Sequence, residues 1–149
     1  MASKSDELLK LDNQLCFQLY SASRAMTKLY QPLLKPLDLT YPQYLVMLVL
    51  WEMPMGHKYT VTTLGQKLRL DSGTLTPLLK RLETKRMIQR QRSHVDERQV
   101  WVRLTGLGES LKQQAKRVPE KLLCVTNTSP EDVATVRDTL KSLLASLDG

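Results

Sequence analysis

Between residues 62 and 104 the sequence changes from a helical period to a strand period, and this change restricts the fold more than any other feature. "TTLGQKL" contains a Thr63–Gln66 capping box and predicts a short helix. After the turn "RLDSG" a second helix runs to "KRLETK", with Ser72 as its N-cap or Thr74 as its start, because Pro77 removes a helical hydrogen bond. Two short helices joined by a glycine-containing turn predict a helix-turn-helix.

Two basic strands follow the second helix. "MIQRQR" and "QVWVRL" alternate in polarity, and Val100, Val102 and Leu104 share one face of the second strand. The residues between the strands form a polar hairpin tip, and a further short strand is predicted at 58–61. A helix-turn-helix with a basic β-hairpin is a winged helix. The predicted fold is therefore mainly α with a small β-hairpin wing, in residues 55–104.

Basic residues concentrate in this same region. The net charge of the chain is +7. Residues 64–103 contain ten Lys or Arg against four Asp or Glu, which gives +6 of that total. An isolated basic run is usually a solvated surface, but one that coincides with a helix-turn-helix and a wing predicts binding to double-stranded DNA.

Helices with narrow apolar seams flank the winged helix. The first is predicted over 7–31, and two more close the chain, one running up to Pro119 and one capped by Ser129. The seams are Leu15, Leu19, Ala22, Met26, Leu29 and Leu33 in the first helix and Val133, Val136, Leu140, Leu143 and Leu147 in the last. They favour a homodimer formed by residues 1–35 and 105–149, although two seams can also pack together within one chain.

Length and composition disfavour several other classes. The chain has 149 residues, 42% of them hydrophobic, and is expected to form a single domain, 1–149. It has no long apolar run and no signal-peptide core, so we expect a cytoplasmic protein with no membrane partner. The two cysteines lack metal-site spacing, and the sequence shows no nucleophile–base pair or phosphate loop. Neither an enzyme nor a cofactor or metal site is predicted.

One cysteine shares a helix face with two tyrosines. In "LCFQLYSASRAMTKLY", Tyr20 follows Cys16 by four residues and Tyr30 follows it by fourteen, so all three point to nearly the same side. Cys16 and Tyr30 are nevertheless roughly 21 Å apart along the helix. The spacing alone favours a structural cysteine on an apolar seam, with the tyrosines as packing.

The chain resembles the MarR family of bacterial winged-helix repressors over nearly its whole length. The segments that carry the resemblance are "NQLCFQLY", "LTYPQYLVMLVLWE", "LDSGTLTPLLKRLE" and "DERQVWVRLTGLG". The first two resemble more narrowly the OhrR-type sensors of organic hydroperoxides, in the kind with two cysteines. Two departures are Arg86, where the family usually has a helix-ending glycine, and a longer connector at 53–59.

The resemblance implies a redox site that only a dimer completes. Two antiparallel first helices would bring Cys16 opposite the partner subunit's Tyr30 and Tyr41, and these phenols, with Tyr20, would support a thiolate. Peroxides oxidise a thiolate, not a thiol. Cys124, predicted in a mobile polar loop after a helix, is implied as the cysteine that captures the oxidised Cys16. Its alternative is a small core residue.

The charge pattern and the resemblance together predict which residues contact DNA. They are Ser72, Thr74, Thr76, Lys80, Arg81, Arg92, Asp96 and Arg98. The three hydroxyl residues open the reading helix, where side chains and backbone amides meet phosphates and base edges. Arg98 at the hairpin tip, held by Asp96, is expected in the minor groove. A solvated helix face is the alternative for Lys80 and Arg81.

Three functions are compatible with these residues. The leading one is a repressor that binds a pseudo-palindromic operator and leaves it when an organic hydroperoxide oxidises Cys16. In the second, a MarR-type repressor is released by a small phenolic or amphipathic ligand and the cysteines are incidental. The third is a thiol-dependent peroxidase, which the absent acid–base partner and the basic wing disfavour.

Overall fold

The computed structural model of this protein describes residue 1 and residues 3–149. As predicted, it is mainly helical with one small antiparallel sheet. The elements in chain order are α1 (Lys4–Leu8), α2 (Leu15–Leu34), α3 (Tyr41–Trp51), β1 (Tyr59–Thr60), α4 (Val61–Leu68), α5 (Ser72–Thr84), β2 (Ile88–Arg92), β3 (Val100–Leu104), α6 (Gly106–Ala115), α7 (Arg117–Thr126) and α8 (Pro130–Asp148). Short 3-10 turns lie at Leu11–Asn13 and Lys35–Leu37.

Helix α3 is the centre of the core. It is apolar on nearly every side, and seven of its eleven residues are buried, as expected for a helix without a polar face. Its first turn is a capping box in which the Gln43 N–H donates to the Thr40 hydroxyl and the Thr40 N–H donates to the Gln43 side chain. At its other end Trp51 Nε1 donates to the Gly108 carbonyl at 2.9 Å, which holds α6 against α3.

The helix-turn-helix is confirmed as α4 and α5, but its predicted N-caps are wrong. Thr60 caps α4 by accepting the Thr63 N–H at 3.1 Å. Asp71 caps α5 by accepting the Thr74 N–H at 2.7 Å. Each cap lies just before its helix in extended backbone, the conformation that a capping side chain needs. Ser72 is therefore the first residue of α5 and not its cap.

The turn between α4 and α5 packs against a glycine inside α4. Arg69 ends α4 in the left-handed region with φ 56°, and the Leu70 N–H donates back to the Gly65 carbonyl at 2.9 Å. A Cβ on Gly65 would lie 2.8 Å from the Leu70 carbonyl oxygen, closer than packed atoms allow. This close approach sets the angle at which α5 leaves α4.

The predicted wing is confirmed and has a third strand. The sheet order is β1–β3–β2, and β2 pairs antiparallel with β3 along its whole length. Val102, on the face predicted to be apolar, is fully buried. The strand predicted at 58–61 is β1, which places Tyr59 opposite Val102.

The first long helix begins later than predicted. In place of a helix over 7–31, α1 and a 3-10 turn precede α2, which starts at Leu15. The side-chain amides of Asn13 and Gln14 donate to the main-chain carbonyls of residues 7, 8 and 10 at 2.6–2.8 Å. These bonds satisfy carbonyls that a continuous helix would have paired internally, so they stabilise the break.

Three helices follow the wing where two were predicted. The chain turns at Lys116, and Pro119 lies at the third position of α7, where its missing N–H costs no helical hydrogen bond. Ser129 caps α8 as predicted, accepting the Asp132 N–H at 3.1 Å.

The apolar seams at the two ends of the chain do not bury each other. No residue of α8 is buried, and Val136 and Leu147 are 59% and 72% exposed. In α2 the seam residue Leu15 is 59% exposed. This contradicts the alternative that the seams pack together within one chain. Among the described residues, no helix is long and apolar enough to cross a membrane.

Candidate redox and DNA-binding sites

Cys16 lies at the start of α2 and is exposed. It is the second residue of the helix, because the break before Leu15 moves the helix start. The helix predicted over 7–31 would have placed Cys16 about two turns from the helix start, and that placement is wrong. The partial positive charge of the unpaired N–H groups at a helix start extends over its first turn and favours an anion there.

Tyr30 and Tyr41 form an aromatic cluster with two residues that the sequence analysis missed. The ring centroids of Tyr30 and Tyr41 are 4.8 Å apart, those of Tyr30 and Tyr44 are 5.8 Å apart, and Tyr44 meets Trp51 edge-on at 6.5 Å. Tyr44 could have been found from its position three residues after Tyr41, on the same side of a helix.

Burial in this cluster makes its phenols weaker acids. Desolvation, followed by the neighbouring Tyr41 and Tyr44, raises the pKa of Tyr30 to about 12. Desolvation also raises the pKa of Tyr41 and of Tyr44 above the usual value for tyrosine. The hydroxyls therefore stay protonated at neutral pH and are available as hydrogen-bond donors.

Tyr20 is separate from this cluster. It is 62% exposed, and the Arg24 guanidinium lies 5.3 Å from the centre of its ring. It is one helical turn from Cys16, whereas Tyr30 is fourteen residues further along the same helix. One chain thus brings Tyr30 and Tyr41 together and leaves Cys16 and Tyr20 apart from them.

Cys124 lies in a helix and not in the mobile loop that was predicted. It is part of α7 and is exposed, which also excludes the alternative of a small core residue within one chain. The prediction took Pro119 as the end of a helix, whereas Pro119 lies in the first turn of α7. Because α7 packs against α2, the second cysteine is carried by the neighbour of the helix that bears the first.

Helix α5 presents one polar and basic face. Leu75, Leu78, Leu79 and Leu82 are buried on its other side. The predicted contacts Ser72, Thr74, Thr76, Lys80 and Arg81 are all exposed. The backbone N–H of Thr74 already donates to the Asp71 carboxylate at 2.7 Å.

The hairpin tip holds one arginine away from the protein. The Arg98 side chain is 92% exposed, and its Nε lies 3.3 Å from Asp96 Oδ1, which also accepts the Arg98 N–H at 3.1 Å. Arg92 donates to the Glu97 carbonyl at 3.2 Å. The predicted contact between Asp96 and Arg98 is thus present, and the loop that carries them is braced by Arg92.

A salt bridge and a backbone hydrogen bond between α5 and the wing were not predicted from the sequence. The Arg90 N–H donates to Glu83 at 2.9 Å and the Arg90 guanidinium bonds the same carboxylate at 3.1 Å. The Arg90 backbone N–H is the main reason that the pKa of Glu83 is lowered. Among the described residues, no group of three His, Cys, Asp or Glu could hold a metal ion.

Comparisons with known proteins agree with this arrangement. The family model for the transcriptional regulator SarA/Rot matches residues 28–115. The organic hydroperoxide resistance transcriptional regulator of Bacillus subtilis (strain 168) is 48% identical over 147 residues, which are 99% of this chain and 97% of that protein. The chain belongs to the MarR family, in its OhrR-type branch.

Solved structures of MarR-family relatives share the fold. Reduced AbfR bound to DNA has a TM-score of 0.77 and 34% sequence identity, covering 99% of this chain and 100% of that one. Disulfide-formed AbfR has a TM-score of 0.64 and 33% identity, covering 97% and 94%. AbfR is a protein of Staphylococcus epidermidis.

Proposed function

We propose that this MarR-family protein is a homodimeric repressor that binds a pseudo-palindromic operator in the cytoplasm and leaves it when organic hydroperoxide oxidises Cys16. The observation that carries the proposal is the position of Cys16, which is exposed at a helix start and lies outside the tyrosine cluster of its own chain. The chain as a whole is 48% identical over 147 residues to an organic hydroperoxide resistance regulator. The role is regulation and not catalytic turnover.

The exposed seams supply the argument for a homodimer. In this proposal residues 1–35 and 105–149 dimerise, while residues 55–104 bind DNA. Two antiparallel copies of α2 that cross near its middle would place each Cys16 against the partner subunit's Tyr30 and Tyr41. The paired phenols, kept protonated by burial, would then donate to the sulfur of Cys16, as would Tyr20 of its own helix.

The proposed chemistry oxidises sulfur in two steps. The Cys16 thiolate attacks the outer oxygen of the hydroperoxide and the O–O bond breaks, so that Cys16 becomes a sulfenic acid. The remaining alkoxide takes a proton and leaves as an alcohol. The Cys124 thiol then displaces water from that sulfenic acid and forms a disulfide. The hydroperoxide is reduced, and the two thiols together supply both electrons.

The proposed DNA contacts are the exposed face of α5 and the wing tip. Ser72, Thr74, Thr76, Lys80 and Arg81 would enter the major groove, and Arg98 the minor groove, with Arg92 and Asp96 shaping the tip. Because Asp71 uses the Thr74 amide, side chains and not that amide carry the phosphate contact at the helix start.

DNA binding measured by fluorescence anisotropy tests the proposal. Stoichiometric cumene hydroperoxide should weaken operator binding of the wild type within the range of about 5–150-fold that is usual for coupled sites. Cys16→Ser should bind equally well before and after treatment. Unchanged affinity after peroxide, together with a loss caused by an aromatic acid, would instead support release by a ligand. A groove of about 400 Å³ beside Tyr41, Lys35 and Lys85 could hold such a ligand.

A further inference from the structure

Lys85, the C-cap residue of the reading helix α5, reaches across to the turn between α2 and α3. Its ammonium donates to the Asp38 carbonyl and to Gln43 Oε1, the latter at 3.0 Å, and lies 3.6 Å from the Asp38 carboxylate. Its side chain is 26% exposed. A lysine is rarely buried unless its ammonium has polar partners. Here oxygens of one turn replace much of the water around the ammonium, so Lys85 connects the end of α5 to that turn, and we call this connection the Lys85 tie.

Gln43 makes this tie specific. It is 1% exposed, and its Oε1 accepts both the Lys85 ammonium and the Thr40 N–H. Both groups are donors only, so the amide oxygen, and not its nitrogen, must face them. The same side chain therefore completes the cap of α3 and receives the end of α5.

The turn that Lys85 holds is where the two tyrosine-bearing helices meet. The helix with Cys16 and Tyr30 ends shortly before Asp38, which has φ 55°, and Tyr41 is the first residue of α3. A force on Tyr41 or Tyr30 thus acts on a turn that is bonded directly to the end of α5.

We propose that Lys85 and Gln43 form the link through which oxidation of Cys16 moves the reading helix, with Lys85 as a positioning residue. This inference rests on the redox release proposed above. Helix α5 has its DNA-facing hydroxyls at one end and Lys85 at the other, so a shift of the turn tilts the reading end. The Glu83–Arg90 bond carries the wing with it. Coupling requires a difference between two states; here the turn shifts on oxidation, and the intact Lys85–Gln43 contact passes that shift to α5.

The matched pair Lys85→Met and Lys112→Met tests the link. Both substitutions remove one positive charge, and Lys112 also donates to a helix carbonyl, that of Trp51 at 2.9 Å, but at the far end of α3. For each variant the operator Kd is measured before and after stoichiometric cumene hydroperoxide, and Cys16 oxidation is followed by mass spectrometry. The ratio of the two Kd values cancels any general loss of charge.

Lys85→Met should be oxidised at the wild-type rate, but its Kd ratio should fall severalfold towards 1, because the ratio measures the coupling. Lys112→Met should keep the wild-type ratio, and Lys85→Arg, which retains donors, should restore part of it. A wild-type ratio in Lys85→Met, or an equal loss in Lys112→Met, overturns the inference. If wild type itself keeps its DNA after oxidation, the redox release fails instead.

Hydrogen exchange on the wild-type protein tests the link without any substitution. Oxidation should change amide exchange at the end of α5 and at the start of α3 together, because the intact contact moves both segments. DNA release with unchanged exchange at these two segments would overturn the inference, even if Lys85→Met does not fold.

Discussion

The surroundings of Tyr30 make its hydroxyl a weaker acid. Its pKa is raised to about 12 by burial and by the adjacent Tyr41 and Tyr44. A phenol that cannot ionise near neutral pH offers a proton and never a negative charge to a nearby thiolate.

Tyr30 should make stability depend on pH in the alkaline range. Its pKa in the folded protein exceeds the value of about 10 for an unfolded chain, so the folded state binds the proton more tightly. The free energy of unfolding should therefore be unaffected by this group below about pH 10 and fall as the pH rises towards 12. Urea denaturation between about pH 8 and 11 should show a smaller loss in Tyr30→Phe than in wild type. The exposed control Tyr20→Phe should match wild type, and equal pH slopes in both variants would contradict the assignment.

The backbone conformation of Arg86 lowers the stability of the protein. It ends α5 in the left-handed region with φ 61°, where a glycine is unstrained. Arg86→Gly should stabilise the protein by up to about 1 kcal/mol, which raises the melting temperature by roughly 3 °C. Arg81→Gly, inside the same helix, should destabilise by about 1 kcal/mol. Thermal melts of the two variants should thus shift in opposite directions; a shared direction would contradict the strain at Arg86.

At the scale of elements, α5 and the wing behave as one DNA-reading unit. The Glu83 carboxylate joins α5 to β2 through both the backbone and the guanidinium of Arg90. These contacts fix the position of the wing relative to α5. Removing a side chain at the wing tip should therefore affect DNA recognition without unfolding the helix.

Arg98→Ala should weaken operator binding by roughly 1–3 kcal/mol and reduce the preference for A·T pairs at the outer positions. Its side chain is almost fully exposed at the tip, so its removal should not change stability. Anisotropy at several salt concentrations should also give a shallower slope, by about 0.9 for each lost phosphate contact. Arg103→Ala is the matched control, because Arg103 lies on β3, where Gln89 holds its guanidinium at 2.8 Å. An equal effect of both substitutions would show that only net charge matters.

The sequence predicted these elements better than it predicted their ends. Periodicity located the helix-turn-helix and the wing because a buried stripe constrains every residue along it. The caps at Thr60 and Asp71 were missed by one to three residues, since several neighbouring side chains are suitable caps and tertiary packing selects among them. Periodicity also gave no sign of the break before Leu15, which depends on side-chain amides reaching back to carbonyls.

Contacts between distant segments were beyond prediction from one sequence. The tyrosine cluster combines α2 with α3, and the Lys85 tie joins residues more than forty positions apart. Charge and spacing identified the classes of residue, but only the fold determines that Gln43 receives Lys85. The resemblance supplied Tyr41, and the structure adds Tyr44 and Trp51 behind it.

At the scale of the whole molecule, the apolar seams at both ends of the chain are exposed, and the proposed redox site needs a second chain. The two thiols lie on neighbouring helices, α2 and α7, and both are exposed. A disulfide needs Cα atoms within about 7 Å of each other. Cys124 lies within a helix and not in a loop. If the two Cα atoms are farther apart than this limit in the reduced protein, a helix must therefore move before the disulfide can form. Such a movement at the dimer seam would change the spacing of the two reading helices, which must match a DNA turn of about 34 Å.

Hydroperoxide should therefore link two chains covalently through Cys16 and Cys124. The proposed antiparallel pairing of α2 and the family resemblance both favour a bridge between subunits over one within a chain. Non-reducing gels of the treated wild type should show a dimer that dithiothreitol reverses, and both Cys16→Ser and Cys124→Ser should stay monomeric on the gel. If oxidised wild type also runs as a monomer while it still leaves DNA, the bridge between subunits is wrong. The oxidised Cys16 would then form a disulfide within its own chain or with an external thiol. Mass spectrometry of the oxidised chain distinguishes these two products.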